Sequence, residues 1–304
     1  MAYPDLLEVV VINYNTAFLL KNCLNSLYSA IKNEGLTYHT KVTVVDNDSK
    51  DQSVATIKKY FPQVNLFINK KNLGFAKANN LAIKKSKAEF IFLLNSDTLI
   101  GTNVLSGLIN QMKSDSRIAV VGPKLLNPDQ SLQQSAGFTP YLSKIFFWMF
   151  FLDDLPFLSK LIKPYHARHA FFYRQMQEVD WVSGAALLFR RKIADLSGLL
   201  DENIFMYGEE VEWCFRIRRA NFLIYYYPQA EVIHFKGGSA ESPGTAIVEE
   251  FKSVIYFYQK HFPRLLSPVR LLLKTGALLR LILFGIIGRF PVLKLYAQAI
   301  KVVG

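Results

Sequence analysis

The chain has 304 residues, 51% of them hydrophobic, and its 36 basic against 24 acidic side chains give a net charge of +12. This composition can bury the core of one large domain, or of a domain with an appendage, and it excludes a disordered or low-complexity chain. The positive charge favours an anionic partner, which is a nucleic acid, a phosphorylated ligand or an acidic membrane surface.

Two cysteines, Cys23 and Cys214, lie far apart in the sequence. They are too few for a disulfide framework or a zinc site, so a reducing compartment is expected. The N-terminal residues place acids before the first apolar run and include no basic segment, a pattern that does not predict a signal peptide.

Short apolar runs alternate with helical patterns through roughly the first 125 residues. Strands are predicted at residues 9–12, 42–45, 64–68, 90–94 and 118–121, and apolar residues recur at helical spacing between most of them. Strands that are buried on both faces and separated by helices predict a mostly parallel sheet with right-handed crossovers. The expected fold class is therefore α/β.

Polar residues follow three of these strands where each strand ends, at residues 13–15, 46–49 and 95–97. A single such end usually caps the next helix. Three at one edge predict a polar crevice, because ligands of parallel sheets bind beyond the carboxyl ends of the strands. The sequence contains neither a dinucleotide-binding glycine fingerprint nor a P-loop.

The pattern changes from about residue 141. An aromatic stretch punctuated by lysines, at 141–165, is too broken for a spanning helix, and a further strand is predicted at 185–189. Gly208 precedes a helix whose first turn holds Glu209, Glu210 and Glu212, where the helix dipole favours anions. Paired strands are predicted at 222–227 and 231–234, followed by an amphipathic helix at 245–262.

Seven stretches of the sequence resemble family 2 glycosyltransferases with the GT-A fold. They are "VVVINYNT", "VVDNDSKD", "NKKNLGFAKANN", "LLNSDT", "VSGAALLFRR", "FMYGEEVEWCFR" and "HFKGGS", and they span roughly residues 8–240. The resemblance is to the bacterial rhamnosyltransferase-like members that build cell-surface polysaccharide. One stretch alone would be weak evidence, whereas seven in the family's order identify the family.

The resemblance implies a Rossmann-like, mostly parallel central sheet in a catalytic domain at residues 1–265, with a nucleotide-binding half at 1–125 and an acceptor-binding half at 126–265. A helical tail follows at 266–304. The implied reaction is an inverting transfer of a sugar, with rhamnose expected, from a dTDP- or UDP-linked donor to a lipid-linked or polysaccharide acceptor. Mn²⁺ or Mg²⁺ is the implied cofactor, because a hard cation stabilises the charge that develops on a diphosphate leaving group.

The resemblance also implies two metal ligands. Asp97 occupies the metal-binding end of the family's Asp-x-Asp element, in which Asn95 replaces the first carboxylate, and His234 matches the metal-binding His ahead of Gly and Ser. Lys236 and Ser239 are expected to reach phosphate oxygens. A lone Asp after a strand is more often a helix cap, and a lone strand-end His is usually structural, so these assignments depend on the neighbouring motifs.

Donor binding is expected along the same edge of the sheet. Asp46 matches the family's base-recognising acid, and a carboxylate that accepts the imide N–H of uracil or thymine favours UDP or dTDP. The alternative role for Asp46 is to cap the helix near Asp51. The other residues expected to bind the donor are Asn13, Asn15, Asn72, Gly74, Asn79 and Asn95, although Gly74 can equally be a plain helix-start turn.

Glu209 and Glu210 are the candidates for catalysis. Inversion needs a base on the face opposite the leaving group, and the family's base is the second acid of this pair, which corresponds to Glu210. Glu where the family usually has Asp lengthens the reach by one methylene. The alternative is a pair of surface acids that stabilises the helix dipole. Trp181 and Gly184 are expected to bind the acceptor.

Other functions fit the sequence less well. A sugar nucleotidyltransferase would need a glycine-rich signature loop near its N-terminus, and a processive synthase would need a Gln-x-x-Arg-Trp element beside spanning helices. A nucleic-acid-binding protein is supported only by the charge. A catalytically inactive member that binds sugar nucleotides remains an alternative, because Asn95 and Glu210 both depart from the family's usual residues.

The tail is expected to lie on the inner, cytoplasmic face of the cell membrane. Residues 271–290 are nearly long enough to span a bilayer, but Lys274, Arg280 and Arg289 interrupt them, at a cost of about 2.5–3.5 kcal/mol for an Arg in mid-span. An interfacial helix instead places apolar side chains in the acyl boundary and basic ones among anionic headgroups. Residues 146–157 would add a second contact. The alternative is a helix buried against the catalytic domain or a partner subunit.

Overall fold

The protein is described from a computed structural model that covers residues 5–235, 237 and 245–304. The strands are β1 (Leu7–Asn13), β2 (Thr40–Asp46), β3 (Asn65–Ile68), β4 (Phe90–Asn95), β5 (Thr98–Ile100), β6 (Ile118–Leu126), β7 (Leu132–Gln133), β8 (Ala136–Gly137), β9 (Gln177–Val179), β10 (Trp181–Val182), β11 (Ala186–Arg190) and β12 (Leu223–His234). The helices are α1 (Ala17–Asn33), α2 (Ser53–Tyr60), α3 (Phe75–Lys85), α4 (Val104–Ser114), α5 (Leu142–Met149), α6 (Pro156–Ile162), α7 (Arg191–Ser197), α8 (Glu209–Arg219), α9 (Thr245–His261), α10 (Leu266–Ile286) and α11 (Phe290–Val303).

The first half of the chain forms the predicted parallel sheet. Its strands lie in the order β3-β2-β1-β4, and each neighbouring pair is parallel. The register places Asn13 opposite Asp46, and Ile12 opposite Asn95. The three polar strand ends therefore meet at one edge of the sheet, as the sequence predicts, because parallel strands end on the same side.

The second half of the sheet is mixed. Strand β11 lies between β4 and β6 and is antiparallel to both, whereas β12 is parallel to β6. The prediction of two paired strands at 222–227 and 231–234 is wrong, because both segments belong to β12. The strand continues along β6 with an irregularity between Tyr227 and Glu231, where Pro228 has no N–H to donate to the ladder.

Helices cover both faces of the sheet. On one face, α1 and α4 bury residues such as Leu24, Leu27 and Leu108 in one hydrophobic cluster. On the other face, α3, α8 and α9 belong to a second cluster that includes Trp213 and Phe251. This arrangement explains the uninterrupted apolar strands, since both faces of the sheet are excluded from water. Both cysteines are buried and free, as their number suggests.

The tail forms two helices rather than a single one across residues 271–290. Val269 and Leu273 of α10 and Val303 of α11 are buried in the second cluster, so one face of the tail packs on the domain. Arg280 is only 3% exposed, and its guanidinium donates to the backbone oxygens of Trp148 and Met149. Among the helices described, none is long and apolar enough to cross a bilayer.

Candidate active site

A cavity of about 350 Å³ lies beyond the carboxyl ends of the parallel strands. The sequence-predicted residues on its wall are Asn72, Gly74, Asn95, Asp97, Trp181, Gly184, Glu209, Glu210 and His234. Four others, Asn13, Asn15, Asp46 and Asn79, are not part of the wall. Lys236 and Ser239 lie outside the described residues.

The edge formed by β1 and β2 is a closed hydrogen-bond network. Asn13 and Asp46 are fully buried, and the Asn13 amide donates to an Asp46 carboxylate oxygen at 2.8 Å and to Ser49 Oγ at 3.0 Å. The other Asp46 oxygen accepts from the Ser49 N–H at 2.9 Å. Asn15 has a left-handed backbone, with φ of 53°, and accepts from the Lys50 N–H. These contacts fix the turns beneath the cavity before any ligand binds.

Position 74 accepts only glycine, for reasons of backbone conformation and space. Its φ is +79°, and a Cβ atom added there would lie 2.5 Å from the backbone oxygen of Phe205. That oxygen accepts the N–H of Phe75 at 2.9 Å, so the start of α3 is held against the loop before α8. Asn72 accepts from the Gly74 N–H, while Asn79 is buried in α3 and donates to the oxygen of Phe75.

Asp97 and His234 are brought together from adjacent segments of the sheet. His234 ends β12, beside Thr98 of β5, and its Nε2 lies 3.3 Å from an Asp97 carboxylate oxygen. The amide nitrogen of Asn95 lies 3.4 Å from the same Nε2. Asp97 is 4% and His234 9% exposed, so both are held within the wall with little freedom to move.

Gln133 determines which nitrogen of His234 carries the proton. The Gln133 amide group donates to the backbone oxygen of His234 at 3.1 Å and to Asn127 Oδ1 at 2.8 Å. Its Oε1 must therefore face His234 Nδ1, 2.7 Å away, as an acceptor. In the neutral imidazole this leaves the lone pair on Nε2, which faces Asp97.

This pair fits a divalent cation. A carboxylate oxygen and an imidazole lone pair that face each other at 3.3 Å repel unless a proton or a cation lies between them. Oxygen and imidazole ligands both suit Mn²⁺. Among the described residues, no group of three or more His, Cys, Asp and Glu side chains could hold an ion. A cation at Asp97 and His234 would thus take further ligands from a bound substrate, as Mg²⁺ commonly does from phosphates.

Glu209 and Glu210 begin α8 and also belong to the wall. Gly208, with φ of 95°, turns the chain into the helix, and both carboxylates line the cavity. Burial, followed by the neighbouring Glu210 charge, raises the pKa of Glu209 well above its usual value. Burial also raises the pKa of Glu210, although backbone hydrogen bonds, including one from Gly208 N–H at 3.1 Å, oppose the shift. Both acids therefore hold a proton up to a higher pH than exposed glutamates do.

The wall is acidic although the chain is basic. Its described residues include four carboxylates, Asp97, Glu209, Glu210 and Glu250, and two imidazoles, His166 and His234, but no Lys or Arg. The Lys and Arg side chains that the structure describes lie off this wall. An anionic ligand in this part of the cavity consequently needs a cation for charge balance.

The sequence did not reveal several wall residues. Gln133, Tyr165, His166, Tyr207 and Glu250 lie outside the strand ends from which the crevice was predicted. Their approach depends on contacts between distant segments, and no spacing within the sequence marks them. Tyr207 lies in the stretch "FMYGEEVEWCFR" that carries the resemblance, and Tyr165 ends the aromatic stretch at 141–165, of which residues 146–157 are predicted as a membrane contact.

Trp181 is a wall residue with most of its ring buried. It is 7% exposed, and its indole N–H donates to the backbone oxygen of Tyr165 at 3.1 Å. The indole nitrogen is therefore engaged within the protein, and Trp181 offers a ligand an aromatic surface rather than a donor.

Comparisons with known proteins identify the family. Residues 8–178 match the sequence profile described as "Glycosyl transferase family 2". The chain is 27% identical to "N-acetylglucosaminyl-diphospho-decaprenol L-rhamnosyltransferase" of Mycobacterium tuberculosis, over 91% of this chain and 92% of the relative. It is 23% identical to "dTDP-rhamnosyl transferase RfbF" of Shigella flexneri, over 85% of this chain and 82% of the relative.

Two solved structures share the fold. The mannosyltransferase PcManGT from Pyrobaculum calidifontis, in complex with GDP-Man and Mn²⁺, superposes with a TM-score of 0.61 and 14% identity, over 99% of this chain and 86% of the other. GalNAc-T7, with UDP, GalNAc and Mn²⁺, superposes with a TM-score of 0.57 and 16% identity, over 83% of this chain and 49% of the other. At these identities the likeness concerns the fold alone.

Proposed function

This chain belongs to glycosyl transferase family 2 and has a GT-A fold, and we propose that it is a metal-dependent, inverting transferase that moves rhamnose from a nucleotide-diphosphate donor to a lipid-linked acceptor. The observation that carries the proposal is the composition of the cavity wall. A cation-binding pair, Asp97 and His234, and two glutamates of raised pKa, Glu209 and Glu210, surround one space at the ends of the parallel strands.

The donor diphosphate is the anionic part of the substrate. Since the described wall contains four carboxylates and no Lys or Arg, the diphosphate would be repelled if it entered alone. Asp97 and His234 would hold the divalent cation, which when bound neutralises the charge on the leaving diphosphate. Gln133 orients His234 for this role by accepting a hydrogen bond from its Nδ1–H.

Glu210 acts on the acceptor. Its carboxylate takes the proton of the attacking acceptor hydroxyl while that oxygen forms its bond to the anomeric carbon and the bond to the diphosphate breaks. The raised pKa of Glu210 suits this role, because a base with a pKa nearer to the working pH accepts a proton more readily. Attack from the face opposite the leaving group inverts the anomeric centre.

The sugar and the acceptor are proposed from the relatives. The mycobacterial relative is named for transfer of L-rhamnose to N-acetylglucosaminyl-diphospho-decaprenol, and it matches over nearly the whole of both chains. The Shigella relative is named for dTDP-rhamnose. These names support dTDP-rhamnose as donor.

A donor and acceptor panel tests this proposal. Purified full-length protein is incubated with dTDP-rhamnose, UDP-linked hexoses or GDP-mannose, with Mn²⁺, Mg²⁺ or excess chelator. The acceptor is N-acetylglucosamine joined through diphosphate to a short prenyl chain. We expect product only with a pyrimidine donor and a metal, and NMR of the product should show an anomeric configuration opposite to that of the donor. Retention of configuration, or equal turnover in chelator, contradicts the proposal.

We also propose that the protein docks on an anionic membrane surface through its tail, where a lipid-linked acceptor is found. On α10, Leu271, Leu278, Ile282 and Ile286 are exposed and lie within about a quarter of the helix circumference. Arg280 lies about 180° from Leu271 around the helix, on the buried face of α10. Further exposed apolar residues close to these in sequence are Ile287 and Phe290, and α6 adds Phe157 and Leu161. Such a surface is typical of interfacial binding.

Point substitutions test the membrane proposal better than truncation does. A chain ending near Ser267 would remove Leu273 and Ala277 from the core and would expose apolar surface on the domain. Instead, Ile282, Ile286 and Phe290 are replaced together by Ser. Native protein should float with anionic liposomes, less so in high salt, and the variant should remain in the soluble fraction. Equal flotation of the two proteins would exclude this face as the anchor.

A further inference from the structure

His166 and Glu250 form a pair on the cavity wall that the proposed chemistry does not use. His166 Nε2 lies 2.6 Å from Glu250 Oε1, each side chain is about one quarter exposed (24% and 25%), and both line the cavity. We propose that this pair binds hydroxyl groups of the acceptor sugar and positions it for transfer. The inference rests on the proposed function and assigns the acceptor subsite within it.

The pair is held on a rigid frame. The backbone of His166 forms an isolated β-bridge with Gly137, and the Ala167 N–H donates to the oxygen of Ala136 at 3.1 Å. The His166 ring is 4.0 Å from the ring of Tyr165 and 5.6 Å from that of Trp181, measured between centroids. A side chain restrained on several sides in this way presents its polar atoms in one fixed direction.

The remaining polar atoms of the pair are available to a ligand. Within the described part of the chain, His166 Nδ1 and Glu250 Oε2 have no hydrogen-bond partner. A carboxylate oxygen accepts strong hydrogen bonds from hydroxyl groups, and the imidazole nitrogen supplies a further polar contact. The Trp181 ring beside them offers an apolar surface to the C–H face of a sugar.

The position of the pair relative to Glu210 suits an acceptor. A Cβ atom at Gly184 would lie 3.8 Å from Glu210 Cβ, and the Trp181 ring, three residues earlier, is 5.6 Å from the His166 ring between centroids. Trp181 and Gly184 therefore connect the pair to the proposed base, and all of these residues line the same cavity. A sugar bound by the pair would lie in the same cavity as Glu210.

The charge at this part of the wall determines the chemical class of the ligand. Glu210 and Glu250 would repel a diphosphate, so the part of the substrate bound here is a neutral, hydroxyl-rich ring, and the diphosphate carried by the acceptor would point away from both carboxylates. The acceptor sugar has this chemistry, whereas the donor diphosphate belongs near Asp97 and His234. The cavity is thus divided between a cation-binding side and a neutral-sugar side.

The test uses the full-length protein and steady-state kinetics. The acceptor probe is N-acetylglucosamine joined through diphosphate to a short prenyl chain. We expect Glu250→Gln to raise the KM for this acceptor about tenfold to a hundredfold, the range for loss of a charge-assisted hydrogen bond. The KM for the nucleotide sugar should change far less. His166→Phe, which keeps an aromatic ring but has no nitrogen, should raise the acceptor KM as well.

The matched control is Glu249→Gln, one residue away on α9, where the carboxylate pairs with Lys252 and is not part of the cavity wall. Glu249→Gln should leave the acceptor KM unchanged. If Glu250→Gln lowers Tm but leaves the acceptor KM as in native protein, the pair is only a link between α9 and the His166 segment, and the inference is overturned. If native protein uses this acceptor with none of the donors, the proposed acceptor class is wrong. The subsite assignment is then wrong as well, because it depends on that class.

Discussion

The β1–β2 side, beneath the cavity, and the α8 side, on its wall, differ in how their polar groups are satisfied. On the β1–β2 side, Asn13 and Asp46 are fully buried and bonded to each other, and Thr16 Oγ1 donates to Asn13 Oδ1 at 2.6 Å. On the α8 side, Glu209 is equally enclosed, at 4% exposed, yet its Oε2 has no hydrogen-bond partner within the described residues. On the β1–β2 side the polar groups are hydrogen-bonded to one another. On the α8 side a buried carboxylate oxygen lacks a partner, which lowers the stability of the charged form.

This contrast indicates different roles for the two sides. A network whose donors and acceptors are already paired has one stable arrangement, which suits the shaping of a binding surface. Buried carboxylates with raised pKa values change their protonation more easily near neutral pH, which suits proton transfer. If the contrast is correct, substitutions on the α8 side should change turnover, and substitutions on the β1–β2 side should change nucleotide binding and stability.

The largest effect is expected at Asp97 and His234, the proposed cation ligands. Asp97→Ala should lower transfer by about 10³-fold, because a metal stabilises the leaving group by several kcal/mol. Mn²⁺ binding, followed by electron paramagnetic resonance, should weaken in the same variant without substrate. Asp48→Asn is the control, since Asp48 lies at the same sheet edge but not on the cavity wall. Mn²⁺ affinity equal to that of native protein would show that Asp97 is not a ligand.

The next largest effect is expected at Glu210. Glu210→Gln keeps the shape of the side chain but cannot accept the proton, so kcat should fall by roughly 10² or more while donor affinity changes little. The raised pKa also predicts that native kcat falls as the pH drops through a value above that of an ordinary Glu. If Glu210→Gln remains active and Glu209→Gln is inactive, the base is Glu209.

A smaller effect is expected at Asp46. Asp46→Ala should weaken UDP or dTDP binding about tenfold, because the turns beneath the cavity lose the carboxylate that fixes them. It should also lower the stability by about 1–3 kcal/mol, since the Asn13 amide and the Ser49 N–H lose their acceptor. Sequence reasoning alone predicts an intact fold, because it does not reveal these contacts. Nucleotide affinity is measured by titration calorimetry well below Tm, so that binding is not confused with unfolding. Equal affinity of native protein for GDP and dTDP would exclude pyrimidine selection.

The smallest effect is expected in thermal stability, at Glu209. Its folded-state pKa is raised, so its contribution to stability is present below the unfolded pKa and is lost as the pH rises through the folded pKa. Glu209→Gln removes this loss and should raise Tm at pH 7, by about 2 °C for each kcal/mol gained. The difference between variant and native protein should disappear near pH 4. A lower Tm at pH 7 would show that the Glu209 carboxylate is stabilised rather than strained.

Much of the first half of the fold could be predicted because its signals are local. Val42 to Val45 form a buried run, Leu20 and Leu24 repeat at helical spacing, and both patterns produce the expected elements. Asp46 and Asp97 follow directly on such runs, so the sequence also placed them at the edge of the sheet. The second half was less predictable: the segments before and after Pro228 looked like two strands, and only pairing with β6 shows that they are one.

By itself, the sequence determined which residue types end the strands, and hence that one edge of the sheet is polar. The tertiary structure alone decided what completes that edge. Gln133 meets His234 across 101 residues, His166 meets Glu250 across 84, and Arg280 meets Met149 across 131. No repeating pattern connects such distant positions, because their approach is determined by the packing of helices on the sheet. Arg280 shows the consequence: a residue that reads as a break in an apolar tail is instead buried, bonded to two backbone oxygens of the domain.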